Sequence, residues 1–155
     1  MASIKALVTV FFISISINSY SQNIKPFKNI LNAKRINKAY KTSSFNDTTW
    51  RTYLGILKDN KRKSKYYVIK EFNKIRAGST WHGHSSIYFF DMKRKLAAFV
   101  YVPMPDNLPY KLYKNNFYFK YIERGKVKEF KSQMFTPLPK MFCSRINECD
   151  EIILP

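Results

Sequence analysis

Trp81-His82-Gly83-His84 carries both histidines of the 155-residue chain. On a strand, positions two apart face the same side, so His82 and His84 project together, with Ser86 and Tyr88 continuing their row. Two convergent imidazoles could hold a metal ion, but a working metal site needs a third ligand, for which Glu71 and Asp91 are the candidates. The same pair could act as general acid and base in phosphodiester cleavage, with a lysine stabilising the pentacovalent phosphorus. That is the catalytic alternative for this chain, a small ribonuclease-like hydrolase using His82 and His84. The competing reading is two histidines at a sheet surface that hydrogen-bond and titrate near neutrality without catalysing anything. Spacing fixes no third partner, so the second reading is preferred, and no metal and no cofactor is assigned.

Other catalytic patterns are missing. There is no serine-hydrolase elbow, no zincin helix and no Cys–His nucleophile arrangement. Four glycines leave no phosphate-cradling loop. Ten carboxylates, three of them at Glu148, Asp150 and Glu151, give no support to a two-carboxylate glycosidase.

Charge is the more general chemical signal. The chain has 28 Lys and Arg against 10 Asp and Glu, a formal net charge of +18. Three loops concentrate bases: Lys61, Arg62 and Lys63 (with Lys58 and Lys65 beside them); Lys93, Arg94 and Lys95; and Arg124 and Lys126, with Lys128 following. A field of this sign attracts an anionic polymer, nucleic acid or acidic glycan, or an anionic membrane surface. The abundance of Lys, Asn, Ile, Tyr and Phe also fits an AT-biased coding sequence, although such bias does not by itself deplete the acids. Tyrosines interleave with lysines at Tyr110-Lys111-Leu112-Tyr113-Lys114 and over Tyr118–Tyr121. This resembles a stacking-plus-charge surface for single strands or sugars, or else plain sheet-forming composition.

The address comes from the first 21 residues. Lys5, an apolar run from Ala6 to Ile17 and small residues at Ser19 and Ser21 have the form of a cleavable export signal. The run is shorter than the roughly 20 residues a spanning helix needs. The expected location is the periplasm or the medium. Cys143 and Cys149 are then expected to form a disulfide, since oxidising compartments favour it and five residues is not a redox spacer.

The elements that position these groups read mainly as strands. Residues 22–47 form a basic segment with a short helix: Phe27, Ile30 and Leu31 share a face, Pro26 suits the first turn, and Ile36, Ala39 and Tyr40 extend the face with a slip. Its apolar side could rest on a membrane or on the domain itself. Residues 48–155 form an antiparallel β domain. Trp50, Leu54 and Ile56 alternate with Arg51, Tyr53 and Gly55. Tyr66–Ile75, Thr80–Phe90, Leu96–Val102, Asn116–Glu123 and Val127–Phe135 read as strands, with Asp91–Lys95 and Arg124-Gly125 as hairpin connections. Ala77-Gly78 marks a break or bulge, and no internal repeat stands out. The expected architecture is mainly β, a single antiparallel sheet system closed as a small barrel or a two-layer sandwich, with a short N-terminal helix. The expected function is non-catalytic binding of an anionic polymer or membrane surface. Beside the hydrolase, the other alternative is a carrier holding an apolar ligand in a barrel cavity.

Overall fold

The computed structural model describes residues 25–145 and 148–155, so the export-signal segment 1–21 lies outside the described residues. The described chain is one helix and ten strands: α1 (Lys25–Ala33), β1 (Ala39–Ser43), β2 (Asp47–Lys58), β3 (Ser64–Ala77), β4 (Thr80–Asp91), β5 (Leu96–Val102), a 3-10 turn (Pro105–Asn107), β6 (Lys111–Tyr113), β7 (Asn116–Glu123), β8 (Lys126–Gln133), β9 (Met141–Arg145) and β10 (Glu148–Glu151). Strands β1 to β5 form an antiparallel meander in chain order, β6 to β8 a second meander, and β9–β10 a terminal hairpin. The sheets face each other as a sandwich and do not close into a barrel. A barrel, and with it a barrel cavity for an apolar cargo, is therefore not how this domain buries its apolar faces.

Two cores result, one on each face of the five-stranded sheet. Val68, Ile87, Phe89, Ala98 and Val100 meet Phe117 and Phe119 of β7 and Phe142 of β9. On the other face Tyr53, Tyr67, Ile69 and Phe90 meet Phe27, Ile30 and Leu31 of α1. Adjacent residues thus serve opposite cores, Val68 beside Ile69 and Phe89 beside Phe90, because successive strand side chains alternate in direction. This is why Tyr67-Val68-Ile69 and Ile87–Phe90 are apolar runs and not alternating ones: both faces are covered. Each fully buried side chain of this size contributes about 1.5–3 kcal/mol. The apolar face of α1 thus packs on its own domain. The helix is also shorter than its sequence pattern suggests. Lys34 takes positive φ (48°) and its amide donates to Ile30 O, which ends α1. Ala39 and Tyr40, read as helical from spacing, instead pair with Thr52 and Arg51 as strand β1.

In β2 the strict alternation expected through Leu54 and Ile56 fails. Tyr53 pairs with Ile69 and Gly55 with Val68, so Leu54 is an extra residue, a bulge. The bulge reverses the phase: Leu54 and Leu57 face the β7 side, and Ile56 the helix side. Gly55 holds φ at +137°, which side chains rarely adopt, while a Cβ there would meet Leu112 only at 3.7 Å. Gly55→Ala is therefore expected to lose about 1–3 kcal/mol through backbone strain, with no steric contribution, read as a lower denaturant midpoint at unchanged slope.

The break at Ala77-Gly78 is the β3–β4 turn: Ala77 pairs with Thr80, and Gly78 between them has φ +63°. At the C-terminus, Cys143 and Cys149 are directly paired residues of β9 and β10, joined by a disulfide. The tail beyond is held by the core as well, with Ile152 buried and Ile153 pairing with Phe99 at the edge of β5. That pairing covers part of an otherwise open sheet edge.

Candidate anion-binding surface

The turn β2–β3 is Asp59-Asn60-Lys61-Arg62-Lys63, and the turn β4–β5 is Asp91-Met92-Lys93-Arg94-Lys95. The same pattern, D-x-K-R-K, occurs twice, and the two turns are built alike. In the first, the Asp59 amide donates to Lys63 O, the Arg62 amide donates to Asp59 O, and Asp59 Oδ1 accepts the amides of Lys61 and Lys63 at 2.9 and 2.8 Å. In the second, the Asp91 amide donates to Lys95 O, the Arg94 amide donates to Asp91 O, and Asp91 Oδ1 accepts the Lys95 amide at 2.8 Å. Each turn thereby turns its one carboxylate inward onto its own backbone. The Lys63 amide in particular, with Lys65 and Lys61, holds the Asp59 carboxyl below the ordinary carboxylate range. The bases are left outward.

Each turn also places its arginine in the left-handed region, Arg62 at φ 60° and Arg94 at φ 65°. A side chain there costs about 1–2 kcal/mol relative to right-handed backbone, which is why hairpins of this shape favour glycine. Both sites keep arginine instead.

Register brings the two turns to one end of the sheet, since Lys58 pairs with Ser64 and Tyr66 with Asp91. Their centres are two inter-strand spacings apart, about 10 Å. Two further basic segments arrive at this end. Lys34, just past α1, donates to Tyr67 Oη at 3.0 Å, with its ammonium 4.7 Å from that ring. The side chain of Arg94 donates to Asn32 Oδ1 of α1. The β6–β7 turn is fastened there too: the Asn115 side chain accepts the Lys58 amide at 2.9 Å and donates to Lys58 O. So Lys61, Arg62, Lys63, Lys93, Arg94 and Lys95 converge as one basic end, joined by Lys34, Lys58 and Lys114. Arg124 and Lys126 do not join it. They sit at the tip of the β7–β8 hairpin, a strand length of about 24 Å from the Asn116 end of β7.

The histidine row is placed as alternation predicts. His82 and His84 pair with Ile75 and Asn73 and are exposed. Glu71, a candidate ligand, is engaged elsewhere: Arg51 Nε donates to Glu71 Oε2 at 2.6 Å and Tyr88 Oη donates to Glu71 Oε1 at 3.2 Å, in a nearly buried cluster under Phe27. Burial, then the Glu71 charge, pushes the Tyr88 phenol well above its ordinary range, so the proton stays on it. Asp91 belongs to the basic end, seven residues along β4 from His84, about 24 Å away. Lys74, next in register at Gly83, lies on the opposite face with its ammonium 4.8 Å from the Trp81 ring. Among the described residues no group of three His, Cys, Asp or Glu is gathered as for a metal ion. His84 does line an open cleft of about 310 Å³ with Tyr101 and Asp150. Burial and then Glu148 raise the Asp150 carboxyl above its ordinary value.

The basic end was only partly legible from sequence. Its loops are visible as charge clusters and share the D-x-K-R-K pattern, but their convergence depends on strand order. No protein-family model, no curated protein and no solved structure matches the chain.

Proposed function

We propose that this is an exported, non-catalytic binding protein that holds an anionic polymer against the basic end of its five-stranded sheet. The observation that carries the reading is the twin D-x-K-R-K turn, with its acid folded inward and an arginine kept where the backbone favours glycine. Left-handed backbone also occurs at Lys34, Lys114 and Arg124; what sets the twin turns apart is that the same acid-inward, base-outward pattern recurs twice at one end of a sheet. The Met1–Ser21 pattern and the Cys143–Cys149 bond support export.

The test is a salt titration of the purified protein with polygalacturonate, single-stranded DNA and anionic vesicles, against neutral vesicles. Binding that saturates on an anionic polymer near physiological ionic strength, with a steep linear dependence of log affinity on log salt, is the expected result. Indiscriminate weak binding that vanishes by modest salt would sink the proposal and leave the charge compositional.

A further inference from the structure

Lysines seated on tyrosine rings line the outer face of β6–β8 as far as Lys120, beyond which the paired Ile122 and Val127 are exposed on the same face. The Lys120 ammonium lies 4.7 Å from the Tyr110 ring, and that of Lys111 lies 5.5 Å from Tyr118 and 5.1 Å from Tyr113. Lys114 adds a further contact on Tyr113 at 5.4 Å. Phe117 and Phe119 alternate with these residues and point into the core, so Tyr118 and Lys120 point out. Lys131 pairs with Tyr118 on the same face. The only acid of this row is Glu129, 3.8 Å from Lys120 and the acceptor of the Tyr110 hydroxyl.

This face is continuous with the basic end, because the Lys114–Asn115 turn is bonded to Lys58. The two surfaces meet at a corner, however. One is the end of a sheet, perpendicular to its strands, and the other is a sheet face, parallel to them. The track is about 10 Å across the turns and about 14 Å from Asn116 to Lys120. A flat bilayer touches one surface or the other. A duplex, stiff over about 150 base pairs, does the same. A flexible chain can follow both.

Single-stranded nucleic-acid sites add free aromatic faces on which bases stack. Here Tyr113, the most exposed ring of the row at 51 %, already carries two ammonium groups. The rings serve as props that hold lysines in place, which lowers the ordering lost on binding a row of point charges. Resting on the proposed polymer-binding reading, we infer that the partner is a flexible anionic polysaccharide that crosses the Lys58–Asn115 junction and lies along both surfaces.

Polygalacturonate fractions of graded length, poly(dT) and anionic phosphatidylglycerol vesicles are compared at matched charge on the wild type, on Lys111→Gln/Lys120→Gln and on Glu129→Gln. Polygalacturonate affinity should rise with length until both surfaces are covered, then level off. The double lysine variant should remove that rise and leave short fragments bound as before. Glu129→Gln should strengthen long-chain binding about threefold, since it frees Lys120 from a surface ion pair and keeps an acceptor for Tyr110. Length-independent affinity, or tighter binding of poly(dT) or vesicles, overturns the polysaccharide and the bent track while leaving polymer binding at the turns intact. Absence of saturable binding to every probe overturns both.

Discussion

Replacing Arg62 and Arg94 together by glycine is expected to weaken polymer binding roughly thirtyfold while leaving the thermal midpoint unchanged or higher. Two bases near an anionic surface are worth about 1 kcal/mol each, and 1.4 kcal/mol is a factor of ten. The slope of log affinity against log salt should fall by about two ionic contacts. Stability moves the other way for a separate reason. Both arginines occupy left-handed backbone, at φ 60° and 65°. Glycine relieves about 1–2 kcal/mol of strain at each site, offset by about 0.5–1 kcal/mol of extra chain entropy in the unfolded state. The Arg94 bond to Asn32 is exposed and its loss is small. A variant that binds less and melts no lower cannot be explained by partial unfolding. If the variant binds as the wild type does, the twin turns are not the site. Calorimetry and the salt titration on one preparation read both quantities.

Glu71→Ala is expected to cost about 3 kcal/mol of stability, a fall in the melting midpoint on the order of 10 °C. The Arg51 and Glu71 side chains are only 14 % and 12 % exposed. Removing the carboxylate strands the guanidinium and deprives the Tyr88 hydroxyl of its acceptor. Arg51→Met with Glu71→Met should recover the part of the loss due to the lone charge, since Phe27 and Tyr88 keep apolar neighbours, while the Tyr88 hydroxyl still lacks its Glu71 acceptor. If the single variant is as stable as the wild type, the pair carries no structural weight, and Glu71 becomes available again to the exposed histidines beside it.

These two sites show how differently sequence and structure contributed. Strand existence was legible wherever β-branched and aromatic residues ran between turn residues: Leu96–Val102 and Asn116–Glu123 fall where spacing put them. So was the side-by-side projection of His82 and His84, because alternation is a local property of extended backbone. The Cys143–Cys149 bond was legible from separation and number. Short strands were not. Lys111–Tyr113 and Ala39–Ser43 carry little pattern of their own and are strands because a neighbour offers a hydrogen-bonding edge.

By itself, the sequence determined the class of the fold, the sign and size of the charge, the two basic turns as separate loops and the absence of familiar catalytic patterns. These follow from composition and from periodicity over a few residues. Only the tertiary structure decided that the sheets pack as a sandwich, that Ile56 faces α1 after the Gly55 bulge, that Glu71 is taken by Arg51, and that the turns at Asp59 and Asp91 stand side by side while Arg124 stands far off. The reason is that sheet order and register are set by contacts between residues distant in sequence. A one-residue bulge reverses every following side chain, and strand order alone determines which turns share an end.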